Sequence, residues 1–499
     1  MKNDQQQHHN STKQPPKVLI AGAGLGGLTL AILLEKAQVP YEVYERVVEV
    51  KNMGTSNSLG WNIAALFKQI GIYDEFVSIS KPALSVDTYN EDRKLEFSMT
   101  FKPAVEMSGS EGYFVTRSAL YDLLLRQIPC EKIHFGKRIV STKQDHIGVR
   151  VHFADNTIAE GDILVGADGA YSAVRQNFYQ QLKRENKLPL SDNSASPFNC
   201  VCLVGQTAPL DPAKFPEVLK PHCLINDVVS ADKPYSWVAM TMKDNIYCWT
   251  VIKYLNKTSS RDDDAFREAE WGAIAAEAMC QEVRHFPIPG GVNNDLTLGD
   301  LIDMTPNASK VIPEEKVFET WYSGRVVLLG DACHAIHPAS GAGAVNAMHD
   351  AVALANWISV LDSPSTKDTE RIFKEYRDER YPAVIAAYNA GQTLTKVSGK
   401  GWVAWVVRKI AKNMPVWLHN MAAKTVTQHR PQVSFLPLVK DEGASPPKYQ
   451  PSLVKTLAIH QARAGSASVF ASATTSATTS ATSSTYTLNN QTPSISMKT

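Results

Sequence analysis

An apolar run, Val18 to Ala21, breaks at Gly22 and restarts with Leu25, Leu28, Ile32 and Leu33 at helical spacing. The run reads as a parallel strand buried on both faces, and the restart as the inward side of a helix. Between them, Gly22, Gly24 and Gly27 stand in the G-x-G-x-x-G spacing. Gly22 permits the tight turn, Gly24 lets the backbone approach a pyrophosphate, and Gly27 lets helix and strand pack closely. The helix amino end offers free N–H groups and a positive dipole to an anion. A second strand, Tyr41 to Tyr44, is followed by Glu45, where a carboxylate accepts hydrogen bonds from ribose hydroxyls. Strand, glycine loop, helix, strand and acid together predict a dinucleotide site. Few folds other than an α/β Rossmann-like one accommodate that order.

The chain has 499 residues, enough for two or three domains, and a formal net charge of only +1, which argues against nucleic acid as a partner. Its seven cysteines are odd in number and show no zinc-ligand spacing, as expected for free thiols in a reducing compartment. Residues 1–16 are polar, with no apolar core of a secretory signal, and read as a disordered leader. No apolar run approaches the roughly 18 residues of a membrane span. These features predict a cytoplasmic protein.

Further along, Gly54 opens a Gly/Ser-rich loop, and a helix follows Thr116 with Arg117 in its first turn. A cation there opposes the helix dipole unless an anion faces it. An apolar strand ends in Asp168-Gly169, with Ser172 and Arg175 just beyond. Residues 17–196 read as the first part of the nucleotide domain. From 197 to 300 the texture changes to strands with one helical stretch near 264–285, predicting an inserted, mostly antiparallel β-sheet domain whose walls enclose a substrate. The first texture returns over 301–367 with a strand ending in Gly330-Asp331, then Gly341-Ala-Gly343 and a helix from Ala344. The nucleotide domain is therefore expected to be discontinuous. Residues 368–460 read as largely helical and 461–499 as a disordered Ser/Thr/Ala tail. Trp402, Trp405 and Ile410 share one face of the stretch 401–412. It reads as a helix packed on the domain or a second subunit, with peripheral membrane contact as the alternative.

Gly22/Gly24/Gly27 with Glu45, Asp168-Gly169, and Gly330-Asp331-Ala-Cys-His-Ala-Ile-His-Pro338 followed by Gly341-Ala-Gly-Ala344 together resemble the class A flavoprotein monooxygenases. These are the group of para-hydroxybenzoate and salicylate hydroxylases and the fungal hydroxylases and epoxidases of secondary metabolism. The resemblance covers about residues 17–395. It implies bound FAD, with Glu45 on the adenosine ribose, Arg117 on the cofactor and Gly54 in the loop bordering it. It also implies Asp331 on the ribityl chain, Asp168-Gly169 serving both FAD and the pyridine nucleotide, and backbone N–H groups around Gly343 and Ala344 facing the flavin ring. Ala342 and Val345 replace a glutamine and an asparagine common in the family, which implies altered flavin tuning.

The implied chemistry is reduction by NADPH or NADH, reaction with O2 to a flavin C4a-hydroperoxide, and hydroxylation or epoxidation of a small, apolar or aromatic substrate. A single glycine motif agrees with class A enzymes and not with class B, which carry two. No catalytic side chain is assigned, since the flavin carries the chemistry. Tyr235, His222, His285 and Trp249 read as structural, and Cys333, His334 and His337 are read as part of a flavin loop rather than a metal site. The alternatives left open are a dehydrogenase, reductase or halogenase on the same fold, and a non-catalytic flavin-binding regulatory protein. Oligomeric state is not encoded legibly.

Overall fold

The computed structural model describes residues 15–49, 56–230, 232–259, 273–337, 340–398 and 415–480. Gly54, the stretch 401–412, almost all of the leader and the last part of the tail lie outside them.

Val18–Ala21 is the centre of a six-stranded sheet. Ile163–Gly166 flanks it on one side, followed by Val326–Leu328 and Tyr322–Ser323; Tyr41–Tyr44 and Ile133–His134 flank it on the other. All neighbours are parallel except the hairpin partner Tyr322–Ser323. Leu164, Val165 and Gly166 pair with Val326, Val327 and Leu328, so the late strand does rejoin the first sheet. Val18, Ile20, Val165 and Val327 are fully buried because helices cover both faces, which is why these strands read as unbroken apolar runs. The helix Leu25–Lys36 packs on the helix Gly343–Ser359 at Gly26, where a Cβ would lie 2.5 Å from Leu329 Cδ2 and 3.1 Å from Ala347 Cβ. A small antiparallel meander, Ile139–Gln144, Val149–Phe153 and Ile158–Gly161, carries the expected alternation, with Val149, Val151 and Phe153 buried.

The second sheet has seven strands in the order Ser309–Val311, Phe198–Gln206, Tyr247–Ser259, Tyr235–Thr241, Ile225–Val229, Ser85–Tyr89 and Leu95–Thr100. It is antiparallel apart from the junction of Ile225–Val229 with Ser85–Tyr89. A contiguous 197–300 insertion does not describe it, because 85–100 and 309–311 supply three of its strands. Those segments are separated from their partners by a hundred residues or more, so only tertiary contact reveals the pairing. Its outer face, with Leu203, Val228, Trp237, Trp249 and Val251, packs on the helices Ala273–Val283 and Leu298–Asp303. Its inner face turns to the first domain: Cys200 Sγ lies 3.1 Å from His337 Nε2, and Ser56 Oγ lies 3.3 Å from Met240 Sδ.

The helix Thr366–Ser398 lies against Gly343–Ser359, and a last helix runs Pro451–Ser480, into the segment expected to be disordered. Its early turns are tied down: His460 Nε2 sits 3.1 Å from Ser359 Oγ, and Arg463 donates to the Val360 carbonyl (2.7 Å) and pairs with Asp362 (2.8 Å). The packed chain therefore reaches past residue 460. Among the described residues no helix is long and apolar enough to cross a membrane.

Candidate functional site

Gly22, Glu45, Asp168 and Asp331 all follow the carboxyl ends of four adjacent parallel strands, Tyr41–Tyr44, Val18–Ala21, Ile163–Gly166 and Val326–Leu328. The sheet topology thus gathers residues as far apart in sequence as Gly22 and Asp331 at the edge where open α/β sheets bind ligands. A groove of about 480 Å³ beside Lys17, Glu35 and Lys132 opens at the opposite, amino-terminal edge. Its charges are paired with one another or with Glu42, so it is not part of this site.

The three motif glycines are there for different reasons. At Gly22 (φ +104°) a Cβ would lie 2.4 Å from the Ala167 carbonyl oxygen, and at Gly27 it would lie 2.1 Å from that of Gly22. Protein packing explains both. At Gly24 the nearest atom to a Cβ is 4.0 Å away, so the protein itself does not require glycine there. The helix that follows has no side-chain cap and no acid in its first turn, which leaves its leading N–H groups open. The helix Gly343–Ser359 is likewise uncapped and acid-free at its start, with open space around Gly341 and Gly343. By contrast, Thr116, Ser172 and Thr297 cap the helices they precede. Two bare helix amino ends beside unfilled glycines fit an anionic, closely approaching ligand.

Glu45 accepts from the Ala23 N–H (2.8 Å) and the Val47 N–H (3.1 Å), so it pins the glycine loop while keeping lone pairs for a ribose. Asp168 Oδ2 accepts from the Ala173 and Val174 N–H groups (2.7 and 3.2 Å), whereas its buried Oδ1 has no partner among the described residues. Burial raises its carboxyl despite these bonds and the Ser172 hydroxyl. An orphaned buried oxygen is costly and suits a ligand hydroxyl. Gly169 (φ +80°) turns the chain here with nothing near its Cβ position. Arg175 then latches this turn to the Asp331 loop, donating to the carbonyls of Ala170 and Ala332 (both 2.6 Å) with its guanidinium over Phe318.

Asp331 reaches solvent, yet it sits deep enough that desolvation raises its carboxyl, while His334 and Arg117 pull it down. Arg117, exposed at the start of the helix Arg117–Leu125, is near enough for its charge to act on that carboxyl. Behind the loop, Asp350 is fully buried and receives the His334 ring (2.6 Å), the Arg380 guanidinium (2.7 Å) and the Gly330 N–H (3.1 Å). Burial alone would raise it, but His334 and Arg380 outweigh that and hold it at about 2. Arg380 also donates to Asn346 (2.9 Å), tying the loop to the helix after Gly343. Cys333, His334 and Asp350 bring possible ligand atoms within 4.8 Å of one another. Arg380 on the Asp350 carboxylate and a Cys333 thiol raised by burial, its Sγ directed at the Gly330 carbonyl, make this a structural ion-pair network instead. Arg380 and Asn346 carry no local signal in the sequence.

Val345 is buried in the core and does not face the cleft. Tyr235 and Trp249 lie on the outer face of the second sheet, bonded to Glu282 and Thr305, and His285 is exposed beside Phe286. None of these three borders the first domain.

Residues 16–196 and 301–390 match the family model described as FAD binding domain. The chain is 28% identical over 395 residues to the FAD-dependent monooxygenase ptmM of Penicillium ochrochloron, covering 77% of this chain and 89% of that one. It is 27% identical over 450 residues to paxM of Penicillium paxilli, also an FAD-dependent monooxygenase, covering 87% and 90%. A variant of Klebsiella pneumoniae HpxO complexed with FAD shares the fold (TM-score 0.64, 21% identity, 83% of this chain and 99% of that one). The unfilled glycine cradle, the orphaned Asp168 oxygen and the bare helix ends fit that cofactor. The chain belongs to the FAD binding domain family and, within it, is an FAD-dependent monooxygenase.

Proposed function

We propose that the enzyme takes reducing equivalents from NADPH or NADH and transfers one atom of O2 to a small, largely apolar organic molecule held between the flavin loop and the inner face of the second sheet. FAD, when bound, supplies the redox and oxygen-activating chemistry. The protein contributes the rest. The N–H groups leading the helix Leu25–Lys36 take the pyrophosphate, with Gly24 leaving room for it, and Glu45 holds the adenosine ribose. Asp331 and Arg117 fix the ribityl end, and the helix Gly343–Ser359 aims its positive amino end at the flavin ring, favouring negative charge there. Asp168-Gly169, Ser172 and Arg175 brace that loop, and Gly54 is assigned to the bordering strap.

The observation that carries this reading is the convergence of Gly24, Glu45, Asp168 and Asp331 at one edge of the sheet, beneath the inner face of the second sheet. The half-buried Val204, Val238 and Thr250 on that face support an apolar substrate. Seven free thiols suit a reducing compartment, and we place the enzyme in the cytoplasm. The test is aerobic turnover with isotopically labelled O2 against terpenoid and aromatic compounds, comparing NADPH with NADH. One labelled oxygen per product with matched reductant consumption is expected. Reductant-dependent turnover without oxygen incorporation would sink the proposal.

A further inference from the structure

We propose that Asp227 is a substrate-anchoring residue, its carboxyl accepting a hydrogen bond from a single hydroxyl or N–H on an otherwise apolar substrate. This rests on the reading above that the substrate lies against the inner face of the second sheet.

The strand register places Thr88, Asp227, Val238, Thr250 and Val204 side by side across five strands. Asp227 shares its face with Ile225, two residues earlier, which packs with Met240; the residues between and beyond, Asn226 and Val228, point the other way, into the outer layer. The row is therefore on the inner face. On one side of it Ile225, Met240 and Cys248 are closed off, with Met240 touching Ser56 of the first domain. On the other side Ser236, Ile252 and Cys202 are closed off, and Cys200 on the same strand touches His337 of the flavin loop. Between these two lines of contact Asp227, Val238, Thr250 and Val204 stay half-buried. The two domains thus touch on either side of a slot, and Asp227 is the only charged residue of its row.

Among the described residues, the neighbouring Thr88 hydroxyl is the one group that favours the charged form of Asp227. Burial pushes the carboxyl up to about 6, against the small opposing effect of that hydroxyl. A half-buried carboxylate facing one neutral donor is under-solvated, and a second donor brought by a ligand relieves that cost. An apolar molecule without such a donor leaves the cost in place and is disfavoured. Asp227 has no structural duty comparable to that of Asp350, since among the described residues no cation or backbone N–H holds its carboxylate.

The test uses the full chain loaded with FAD and two probe pairs differing in one donor: 2-naphthol with 2-methoxynaphthalene, and farnesol with farnesyl methyl ether. Binding is read from perturbation of the flavin absorbance. Wild type is expected to prefer the hydroxyl member of at least one pair by about tenfold or more, and Asp227→Asn, whose amide oxygen accepts only a neutral hydrogen bond, to reduce that preference at least about threefold with flavin content and melting temperature unchanged. Should Asp227→Asn fail to load flavin, Asp227→Glu is expected to load it and keep the preference, and failure of both variants overturns the inference. An unaltered preference in Asp227→Asn, or no preference in flavin-loaded wild type, also overturns it. Wild type that cannot be loaded with FAD at all overturns the proposed function itself, a distinct result.

Discussion

Replacing Gly24 by alanine should separate folding from flavin binding. Gly24 has φ −73° and ψ 177°, ordinary extended backbone that alanine adopts without strain, and its Cβ would meet no protein atom closer than 4.0 Å. Removing a glycine from the unfolded chain gains about 0.4–1 kcal/mol. Gly24 is also the N-cap of its helix, where alanine is worse than glycine by roughly 0.5–1 kcal/mol. The two terms cancel, so apoprotein melting should move by no more than about 2 °C. The new methyl instead occupies the space proposed for the pyrophosphate. Overpacking there costs about 1–3 kcal/mol, or roughly 5- to 150-fold in FAD affinity. Gly27→Ala is the contrasting control. Its Cβ would lie 2.1 Å from the Gly22 carbonyl oxygen, a backbone clash that should lower the apoprotein melting temperature as well. Differential scanning calorimetry of the apoproteins, with FAD titration followed by fluorescence quenching, distinguishes the cases. A Gly24→Ala protein that binds FAD like wild type refutes the assignment of Gly24 to the ligand. One that unfolds like Gly27→Ala refutes the claim that only the ligand requires glycine there.

Asp331→Ala should lower FAD affinity by about tenfold or more with little change in apoprotein melting, because its carboxylate faces the cleft; equilibrium dialysis checks this. Asp350→Ala strips the partner from the buried Arg380 and should cost about 3–5 kcal/mol in urea unfolding, part of which Asp350→Ala/Arg380→Met recovers. His349, buried with Nε2 2.9 Å from the Asn62 carbonyl oxygen, is held neutral by burial and by Arg380, its pKa lowered to about 3. Only the unfolded chain takes up its proton as pH falls below the ordinary histidine range. Stability is then lost on acidification at up to about 1.4 kcal/mol per pH unit, and His349→Gln should flatten the profile between about pH 6.5 and 4. Truncation after residue 465 keeps the Arg463 contacts and should leave flavin loading unchanged. Truncation after 460 removes them and should cost about 1 kcal/mol in thermal unfolding.

Gly22, Gly24, Gly27 and Glu45 were legible because the strand, turn, helix and acid that define the loop are local. Asp168-Gly169 and Gly330-Asp331 were legible as strand ends, since a strand buried on both faces has an unbroken apolar pattern and stops visibly. That Asp168 Oδ1 is left without a partner, that Arg175 latches one loop to the next, and that Arg380 holds Asp350 were not legible. Each depends on where a side chain ends after folding, and none leaves a periodic trace. The strands 85–100 looked like part of the first domain for the same reason. Their partner Ile225–Val229 is more than a hundred residues away, and the parallel join of Thr88 to Asp227 is fixed by tertiary packing.

By itself, then, the sequence determined the cofactor side of this protein, where short-range spacing dictates backbone geometry and backbone geometry selects the ligand. Tertiary structure decided where the proposed substrate slot lies. An acid in an apolar strand acquires meaning only once its face, its row and the two contacts that leave a slot around it are set by segments distant in the chain.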